Sequence, residues 1–481
     1  MINPSRRFPG RRVFTVARHL ARAALPWAAT SRRRGGSESR ADLSLRLRHA
    51  AEKLGPTYIK LGQIISSGEG IFPAELVAEF AKCRDQVPAE RFATVRTVVE
   101  AELGGPIEAT FSSFARVPIA AASIAQVHNA TLLDGTRVVV KVQRPTVDQL
   151  VHQDLRSMAW LAPIFVGRIP IAALANPPAL VEVFAHTISE ELDFRIEADN
   201  MLDVARVFTE LNQDQFVIPR PHPTLVTRRV LVMECLDGFK FDDLASYEMN
   251  GLNTHDIVRA AMIGFMEGAL IHGIFHGDLH GGNLFARPDG RIALLDFGIT
   301  GRMSEKRRLA FVKLLIGGMM NDPLGQLKAI RDLGALPEDT DVEAVARDLG
   351  MFDDVVDPTS LSPEQLVGEL QRVVKALLGY GARMPKELML FVKNMVFLDG
   401  AISRLAPDLD LLGEIAHVAG YFATQHGAQL AAQVGMDPDD YEFDEGGVRA
   451  AFGIDESMET MTYRQLQDRR ELIRRRLRAG S

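Results

Sequence analysis

The sequence has little cysteine and no clean apolar run of membrane-spanning length. Its 481 residues contain two cysteines, Cys83 and Cys235, which excludes a disulfide framework and favours a reduced, cytoplasmic compartment. The most apolar stretch, MAWLAPIFVGRIPIAALA (158–175), is interrupted by Pro163, Arg168 and Pro170. It therefore falls short of the roughly 20 residues of a spanning helix. The arginines near the N-terminus precede no continuous apolar segment, so we predict no cleaved signal peptide.

Charge is distributed unevenly along the chain. The net charge is −7, but residues 1–40 carry +9, residues 464–481 carry +5, and the residues between them carry −21. Two basic ends on an acidic body indicate contact with something anionic, and we expect a membrane surface. Nucleic acid is not expected as a partner, because the body is acidic and aromatic residues do not alternate with basic ones.

Both basic ends have the periodicity of amphipathic helices. In 11–25 the basic residues share one face and small or apolar residues share the other: Arg11, Arg18 and Arg22 against Val13, Val16, Ala17, Leu20 and Ala24. This segment is either an interfacial helix on an anionic membrane or a basic tail folded over the acidic body. Residues 30–40 have the composition of a linker. The helix predicted at 463–478 has a narrow apolar stripe and could dock on the body or lie on a membrane.

Two motifs, each with one aspartate, indicate a site that binds a metal ion and phosphates. HGDLHGGNLF (276–285) places Asp278 and Asn283 five residues apart, the spacing of a protein-kinase catalytic loop. LLDFGIT follows, with Asp296 thirteen residues after Asn283. Oxygen ligands from Asn283 and Asp296, completed by phosphates, suit Mg²⁺.

A lysine on a predicted strand completes the pattern. VVVKVQRP (138–145) presents Lys141 as the strand lysine that contacts nucleotide phosphates. Such a lysine needs a carboxylate partner, and SEELDFRIEADN (189–200) offers several. We predict one helix here, with Glu190, Asp193 and Glu197 on one face and Glu191 beside them. Each motif alone could be a chance match, but their order and spacing together indicate a kinase-like phosphate site.

Several parts of a protein kinase are missing. An alanine-rich segment, PIAAASIAQVH (118–128), stands where a glycine-rich loop would precede Lys141. No Ala-Pro-Glu motif follows Gly298, and a helical pattern begins within a few residues. We therefore expect no platform for a peptide substrate.

With these motifs the sequence resembles the UbiB family of atypical kinases, also called the ABC1 or ADCK family. The motifs are KLGQ (60–63), AAASIAQVH (120–128), VVVKVQRP (138–145), ELDFRIEADN (191–200), HGDLHGGN (276–283) and LLDFG (294–298). The resemblance implies an α+β, protein-kinase-like two-lobed fold with an N-terminal helical extension that covers the nucleotide cleft. It also implies binding of ATP or ADP with Mg²⁺, and a role in isoprenoid quinone biosynthesis at membranes.

The resemblance further implies a role for each matching residue. Lys60 lies in an otherwise apolar predicted helix, where it is costly unless paired. The implied pairs are Lys60 with Glu191 and Lys141 with Glu197, and Lys60 and Gln63 would face the active site. Nucleotide contacts are implied for Ala121, Ala122, Ser123, Lys141 and the hinge residues Met233, Glu234 and Cys235. Mg²⁺ ligands are implied at Asn283 and Asp296, and Asp278 would orient water or an acceptor hydroxyl.

The chain also departs from the family pattern. Gly277, Leu279 and Gly281 replace residues that are commonly Ala, Pro and Pro, and SSGEGIFP lacks the Arg and Asp that often follow KxGQ. A basic C-terminal helix replaces spanning helices, so we expect peripheral contact with the inner face of a membrane. The expected segments are a basic tail and linker (1–40), the KxGQ extension (41–104), a small lobe (105–235), a large helical lobe (236–460) and a basic helix (461–481).

The leading functional hypothesis is a Mg²⁺-dependent ATPase that handles an isoprenoid lipid or quinone precursor at the membrane surface. Two alternatives remain open at this stage. One is a true kinase acting on a small molecule or a lipid head group. The other is a nucleotide-sensing scaffold without enzymatic activity.

Overall fold

The computed structural model describes residues 10–30, 36–66, 73–83, 88–165, 177–320, 322–351, 385–435 and 461–479, with 365, 372, 376–377 and 379–382. The chain forms two compact units. The first comprises Met1–Leu202, Pro219–Asp237 and Asp296–Ile299. The second comprises Asp203–Ile218, Gly238–Leu295 and Thr300–Ser481.

Helices and short strands alternate in an α+β arrangement. The strands are β1 Phe111–Phe114, β2 Ala120–Ala121, β3 Ala125–Leu132, β4 Arg137–Gln143, β5 Phe216–Val217, β6 Pro221–Val226, β7 Val230–Glu234, β8 Phe239–Lys240, β9 Ile274–His276, β10 Leu284–Ala286, β11 Ile292–Leu294 and β12 Thr300–Arg302. The helices are α1 Arg11–Thr30, α2 Gly36–Leu54, α3 Pro56–Ser66, α4 Ala74–Phe80, α5 Phe92–Leu103, α6 Val147–Phe165, α7 Pro177–Glu191, α8 Phe194–Glu210, α9 Leu244–Met249, α10 Thr254–Glu267, α11 Glu305–Met319, α12 Pro323–Asp332, α13 Val342–Leu349, α14 Lys386–Leu405, α15 Leu411–Val434 and α16 Tyr463–Ala479.

An antiparallel sheet organises the first unit, with the order β1-β3-β4-β7-β6 and β2 paired on β3. The predicted strands at 136–145 and 228–236 are confirmed as β4 and β7, which pair along their length. On β4 the β-branched residues Val138, Val140 and Val142 are fully buried, whereas Lys141 lies on the opposite face. This alternation is the period of two that strand geometry imposes.

The basic N-terminal helix packs on the first unit. Val13 and Val16 of α1 are buried in a core shared with α2, α3 and α6. Arg12 holds this packing with an ion pair to the fully buried Asp154, at 2.6 Å from Nε to Oδ1. Of the two alternatives for this segment, the structure shows a tail folded on the body. The residues Arg11, Arg18 and Arg22 remain exposed on its outer face.

The linker prediction for 30–40 is wrong in its second half, because α2 begins at Gly36. Tertiary contacts stabilise this start: Arg40 forms an ion pair with Glu75 at 3.0 Å, and the Trp27 indole donates to the Ser39 carbonyl at 2.9 Å. Residues 31–35 lie outside the described part of the chain, as do Gly68 and Gly70 of the SSGEGIFP stretch.

Helices α2, α3, α4 and α5 account for most of the described residues of the extension predicted at 41–104. Helices α3 and α4 come closest to each other at Gly62. A Cβ at Gly62 would lie 2.4 Å from Cδ1 and 2.9 Å from Cε1 of Phe80. Phe80 is buried in the core, so its ring has little room to move. The glycine of the KLGQ motif therefore lets α3 pack directly on α4.

Gly62→Ala should destabilise the protein by about 1–2 kcal/mol, because overpacking outweighs the helix propensity gained from alanine. The matched control is Gly420→Ala, since Gly420 is also helical but its Cβ would meet nothing within 4 Å. We expect that control to stabilise slightly. Urea unfolding of both variants checks the difference, and equal shifts in the two would contradict the packing role of Gly62.

The second unit is mainly helical around two small sheets. One sheet has the order β5-β11-β10-β8, and the other pairs β9 with β12. Helix α10 continues into a π turn at Gly268–His272. The aromatic rings of Phe265, Phe275, Phe311 and Phe391 pack together and hold α14 in this unit.

The basic C-terminal helix also docks on its own unit. Tyr463 and Leu466 of α16 are buried, and Asp399 of α14 accepts hydrogen bonds from the Tyr463 hydroxyl and from Arg470. Docking was one of the two alternatives for this segment. No helix among the described residues combines the length and apolarity that crossing a membrane requires.

Candidate active site

Lys141 lies at the centre of a charged cluster in the first unit. Its Nζ lies 2.7 Å from Oε1 and 2.9 Å from Oε2 of Glu197. The same ammonium lies 3.2 Å from Oδ1 of Asp296 and 5.4 Å from the centre of the Phe194 ring. Two carboxylates and an aromatic face therefore fix the lysine that the sequence singled out.

The electrostatics of this cluster favour additional positive charge. Burial acts to lower the pKa of Lys141, but the carboxylates of Asp296 and Glu197 outweigh that effect and leave it raised. Burial also raises the pKa of Glu197, against the lowering effect of Lys141. Asp296 adds to that rise. One ammonium therefore faces two carboxylates, and a further cation would offset the negative charge that the lysine leaves uncompensated.

The helix predicted across 189–200 is in fact two helices. α7 ends at Glu191 and α8 begins at Phe194. Asp193 starts the second helix, because its side chain accepts a hydrogen bond from the Arg195 amide at 3.1 Å, while the Phe194 amide donates to Arg228 O at 3.1 Å. The carboxylates of this stretch thus lie on separate helices and do not share one face.

Because the chain breaks between α7 and α8, Glu191 and Glu197 contact two different lysines. Glu197 lies in the first turn of α8 and contacts Lys141. Glu191 lies at the end of α7, and its Oε1 is 2.9 Å from Lys60 Nζ. The side chains of Lys60 and Glu191 are only 14% and 10% exposed. Both pairs implied by the family resemblance are thus present in the first unit, and Gln63 lies half-buried one turn from Lys60.

Asp296 adopts a backbone conformation that few residues tolerate. Its φ is 58°, in the left-handed region that Asp enters more readily than most side chains. The Gly298 amide donates to its Oδ1 at 3.2 Å, and Asn200 Nδ2 donates to Phe297 O at 2.9 Å. Phe297 is fully buried. The backbone on either side of Asp296 is thus anchored, and strain of this kind is typical of functional sites.

The alanine-rich segment forms a tight hairpin. Ala121 pairs with Gln126 across β2 and β3, and the Ala122 amide donates to Ala125 O at 2.8 Å. Ser123 is buried. Because the Ala122 amide is already bonded within the hairpin, a nucleotide contact at Ala122 would have to use another of its atoms.

Sequence reasoning missed Arg144, which holds this hairpin. Its guanidinium donates to Ala122 O at 2.9 Å, to Glu90 Oε1 at 2.9 Å and to Pro88 O at 3.0 Å. Arg144 is 7% exposed. Arg144 stands in VVVKVQRP directly after a strand and before a proline. That position was the one sequence feature that could have drawn attention to it.

The predicted hinge residues end strand β7. Met233 is buried and Glu234 is exposed, while the Glu234 amide donates to Arg220 O at 2.9 Å. Cys235 follows, with Arg137 beside it through a 3.7 Å contact to its sulfur.

The catalytic-loop residues lie in the second unit, where hydrogen bonds of the His276 ring fix the backbone of the loop. The Asp278 amide donates to His276 Nδ1 at 3.1 Å, so the ring carries its proton on Nε2, which donates to Leu295 O at 3.0 Å. Asn283 Nδ2 donates to Asp278 O at 3.0 Å, which leaves the amide oxygen as the atom suited to bind a cation. The Leu295 amide donates to Asn283 O at 2.8 Å, one residue before Asp296 in the chain.

Two further residues that the sequence did not reveal come from α14. Asn394 is fully buried. It accepts a hydrogen bond from the Leu279 amide at 2.8 Å and donates to His276 O. Lys393 forms an ion pair with Asp278 Oδ1. In the sequence, the only signal was two adjacent polar residues, Lys393 and Asn394, within an apolar helix. That signal did not indicate that the two residues contact the catalytic loop.

These features define a kinase-like domain, and comparison with known proteins supports that class. Residues 82–328 match the model of the ABC1 atypical kinase-like domain, so the chain belongs to this family. Its fold is α+β and kinase-like.

Relatives share most of the chain. An uncharacterized protein of Mycobacterium tuberculosis is 35% identical over 77% of this chain and 76% of its own length. An uncharacterized aarF domain-containing protein kinase of Arabidopsis thaliana is 33% identical, covering 76% of this chain and 73% of that protein. A probable protein kinase UbiB of Aliivibrio fischeri is 30% identical, covering 77% and 68%.

A solved structure of a Mycobacterium tuberculosis protein in complex with erythromycin also matches. It has a TM-score of 0.42 and 22% identity, and the match covers 72% of this chain and 91% of that one.

Proposed function

We propose that this protein is a Mg²⁺-dependent ATPase of the atypical-kinase type. It would act in the cytoplasm at the inner face of a membrane and support isoprenoid quinone or lipid biosynthesis. The observation that carries the proposal is the contact of the largely shielded Lys141, 13% exposed, with both Glu197 and Asp296. A shielded ammonium held between two carboxylates, one of them in a strained conformation, is the arrangement of a phosphate-positioning lysine.

The residues fit a magnesium–nucleotide. Asp296 keeps 49% of its side chain exposed although it contacts Lys141, so it can also ligate a hard cation. Asn283 would be the source of a second oxygen ligand. One or two protein oxygens, completed by phosphates and water, are the usual Mg²⁺ shell. Bound Mg²⁺ would neutralise charge on the phosphates, which is its role in phosphoryl transfer.

Each residue then has a defined task. Glu197 holds Lys141, which positions the phosphates. Ala121, Ala122 and Ser123 form the hairpin that would cover them, with Arg144 fixing its shape. Glu234 and Cys235 would contact adenine through their backbone. Asp278 would orient the attacking water, and Lys60 with Glu191 would secure the KLGQ helix.

The chain after Gly298 supports a non-protein acceptor. In the continuously described stretch 177–320, β12 follows at Thr300–Arg302 and α11 begins at Glu305. A protein kinase uses this region as a longer segment that presents a peptide. Water or a small acceptor therefore fits this chain better than a polypeptide does.

The decisive experiment is phosphate release from Mg²⁺–ATP by the purified full-length protein, with and without anionic liposomes. We expect release that liposomes stimulate and that Asp296→Asn lacks, because the variant removes a Mg²⁺-binding charge. Tight nucleotide binding without release would contradict the ATPase and favour a scaffold. A phosphorylated lipid product would instead identify a lipid kinase.

The measurement with liposomes also tests whether the exposed arginines of α1 bind an anionic membrane. Since Val13 and Val16 of α1 are buried in the protein core, membrane contact would use the outer face of the helix, where Arg11, Arg18 and Arg22 are exposed. Changing all three to Ser should weaken binding to anionic vesicles by about 100-fold, at about 1 kcal/mol for each arginine. Neutral phosphatidylcholine vesicles are the control, and unchanged binding to anionic vesicles would show that the contact lies elsewhere.

A further inference from the structure

Lys393 contacts the carboxylate at the centre of the catalytic loop. Its Nζ forms an ion pair with Asp278 Oδ1, across 115 residues of sequence. Both side chains are largely shielded, at 24% and 18% exposure. Both residues belong to the second unit.

Lys393 is held firmly in this position. The next residue, Asn394, is fully buried and bonds to the backbone on both sides of Asp278. Two residues before Lys393, the Phe391 ring packs on the rings of Phe265 at 5.1 Å and Phe311 at 4.6 Å between centroids. The helix therefore delivers an ammonium to Asp278 in a fixed direction, which is the preorganisation that transition-state stabilisation needs.

The catalytic loop itself lacks a permanent cation. HGDLHGGNLF contains neither lysine nor arginine. Phosphoryl transfer spreads negative charge over the transferred group, and kinase-like sites place a cation there. The backbone around Asp278 is already fixed by His276, Asn283 and Asn394, so Lys393 is not needed to shape the loop.

We propose that Lys393 is a further catalytic residue, which contacts the γ-phosphoryl group from its fixed position beside Asp278. This inference rests on the proposed function. In the step, the nucleophile oxygen bonds to the γ-phosphorus and the bond from that phosphorus to the bridging oxygen breaks. The proton of the nucleophile passes to Asp278, and the electron pair leaves with ADP. Lys393 exchanges no proton and offsets the charge on the transferred group.

The test compares nucleotides with and without a γ-phosphate, so it does not depend on turnover. We would titrate the full-length wild type, Lys393→Met and Lys393→Arg with Mg²⁺–ADP and with the non-hydrolysable Mg²⁺–AMP-PNP. Lys393→Met should bind AMP-PNP about 10-fold more weakly, as expected for a charged contact, and ADP within about twofold of wild type. Lys393→Arg should recover part of the loss. Phosphate release by Lys393→Met should fall about 100-fold.

The matched control is Lys313→Met, an exposed lysine on helix α11 of the same unit. It should leave both affinities unchanged. Equal weakening of both nucleotides in Lys393→Met, together with a lower unfolding temperature, would mark a structural ion pair and overturn the inference. Unchanged AMP-PNP affinity would also overturn it. A wild type that binds neither nucleotide would refute the proposed function itself, and Lys393 with it.

Discussion

Lys141→Met should lower kcat/KM for Mg²⁺–ATP hydrolysis by about 10³-fold or more, the scale at which phosphoryl-transfer enzymes depend on a positioned cation. The variant removes the only ammonium seen in contact with both Glu197 and Asp296 among the described residues. The two carboxylates would then repel each other and the phosphates. Steady-state phosphate release over a range of ATP concentrations measures the loss.

Two companion variants separate charge from geometry. Lys141→Arg keeps the charge but cannot occupy the same contacts, since guanidinium and ammonium differ in shape, so it should recover little activity. Adding Glu197→Gln to Lys141→Met should restore stability, because no unpaired carboxylate remains buried, but it should not restore turnover. If Lys141→Met retained a tenth of the wild-type rate, the phosphate-positioning role would be refuted.

Lys60→Met should lower the free energy of unfolding by about 3 kcal/mol, since it removes the lysine from a carboxylate that is largely shielded from water. Glu191 is the partner left behind, and its side chain is 10% exposed. The double variant Lys60→Met/Glu191→Gln should recover most of that loss. Urea unfolding of the two single variants and the double variant gives the coupling energy.

A surface pair provides the control for this cycle. Arg46 and Asp42 form an ion pair on α2 with the arginine side chain 37% exposed, and such pairs contribute little. Arg46→Met should therefore leave the unfolding transition almost unchanged. If the Lys60 and Glu191 effects simply added, the two residues would not act as a pair, and the reason for a lysine in this apolar helix would lie elsewhere.

Order and spacing in the sequence singled out Lys141, Asp278, Asn283 and Asp296. The structure places Lys141 and Asp296 in contact, whereas the roles of Asp278 and Asn283 stay predictions. The resemblance that followed indicated both lysine–glutamate pairs. The strand at β4 was readable because its β-branched residues alternate with a period of two.

Other features depended on contacts that no local pattern records. Periodicity predicted α1 as a helix but could not say whether membrane or protein covers Val13 and Val16. The carboxylates of 189–200 fit a helical period, so the break was missed. The Asp193 cap was the overlooked signal. Lys393 and Asn394 reach the catalytic loop from more than 100 residues away in sequence, which only the tertiary structure reveals.

The break between α7 and α8 has a thermodynamic consequence. Glu191 and Glu197 stand on either side of it, so Lys60 and Lys141 bind opposite sides of one joint within the first unit. A ligand at Lys141 that stabilised a different angle at this break would therefore also change how firmly α3 is held at Lys60. By reciprocity, whatever holds α3 changes the affinity for that ligand by the same factor. The lysine in the apolar helix is therefore a point from which a partner of α3 could set nucleotide affinity without touching the nucleotide.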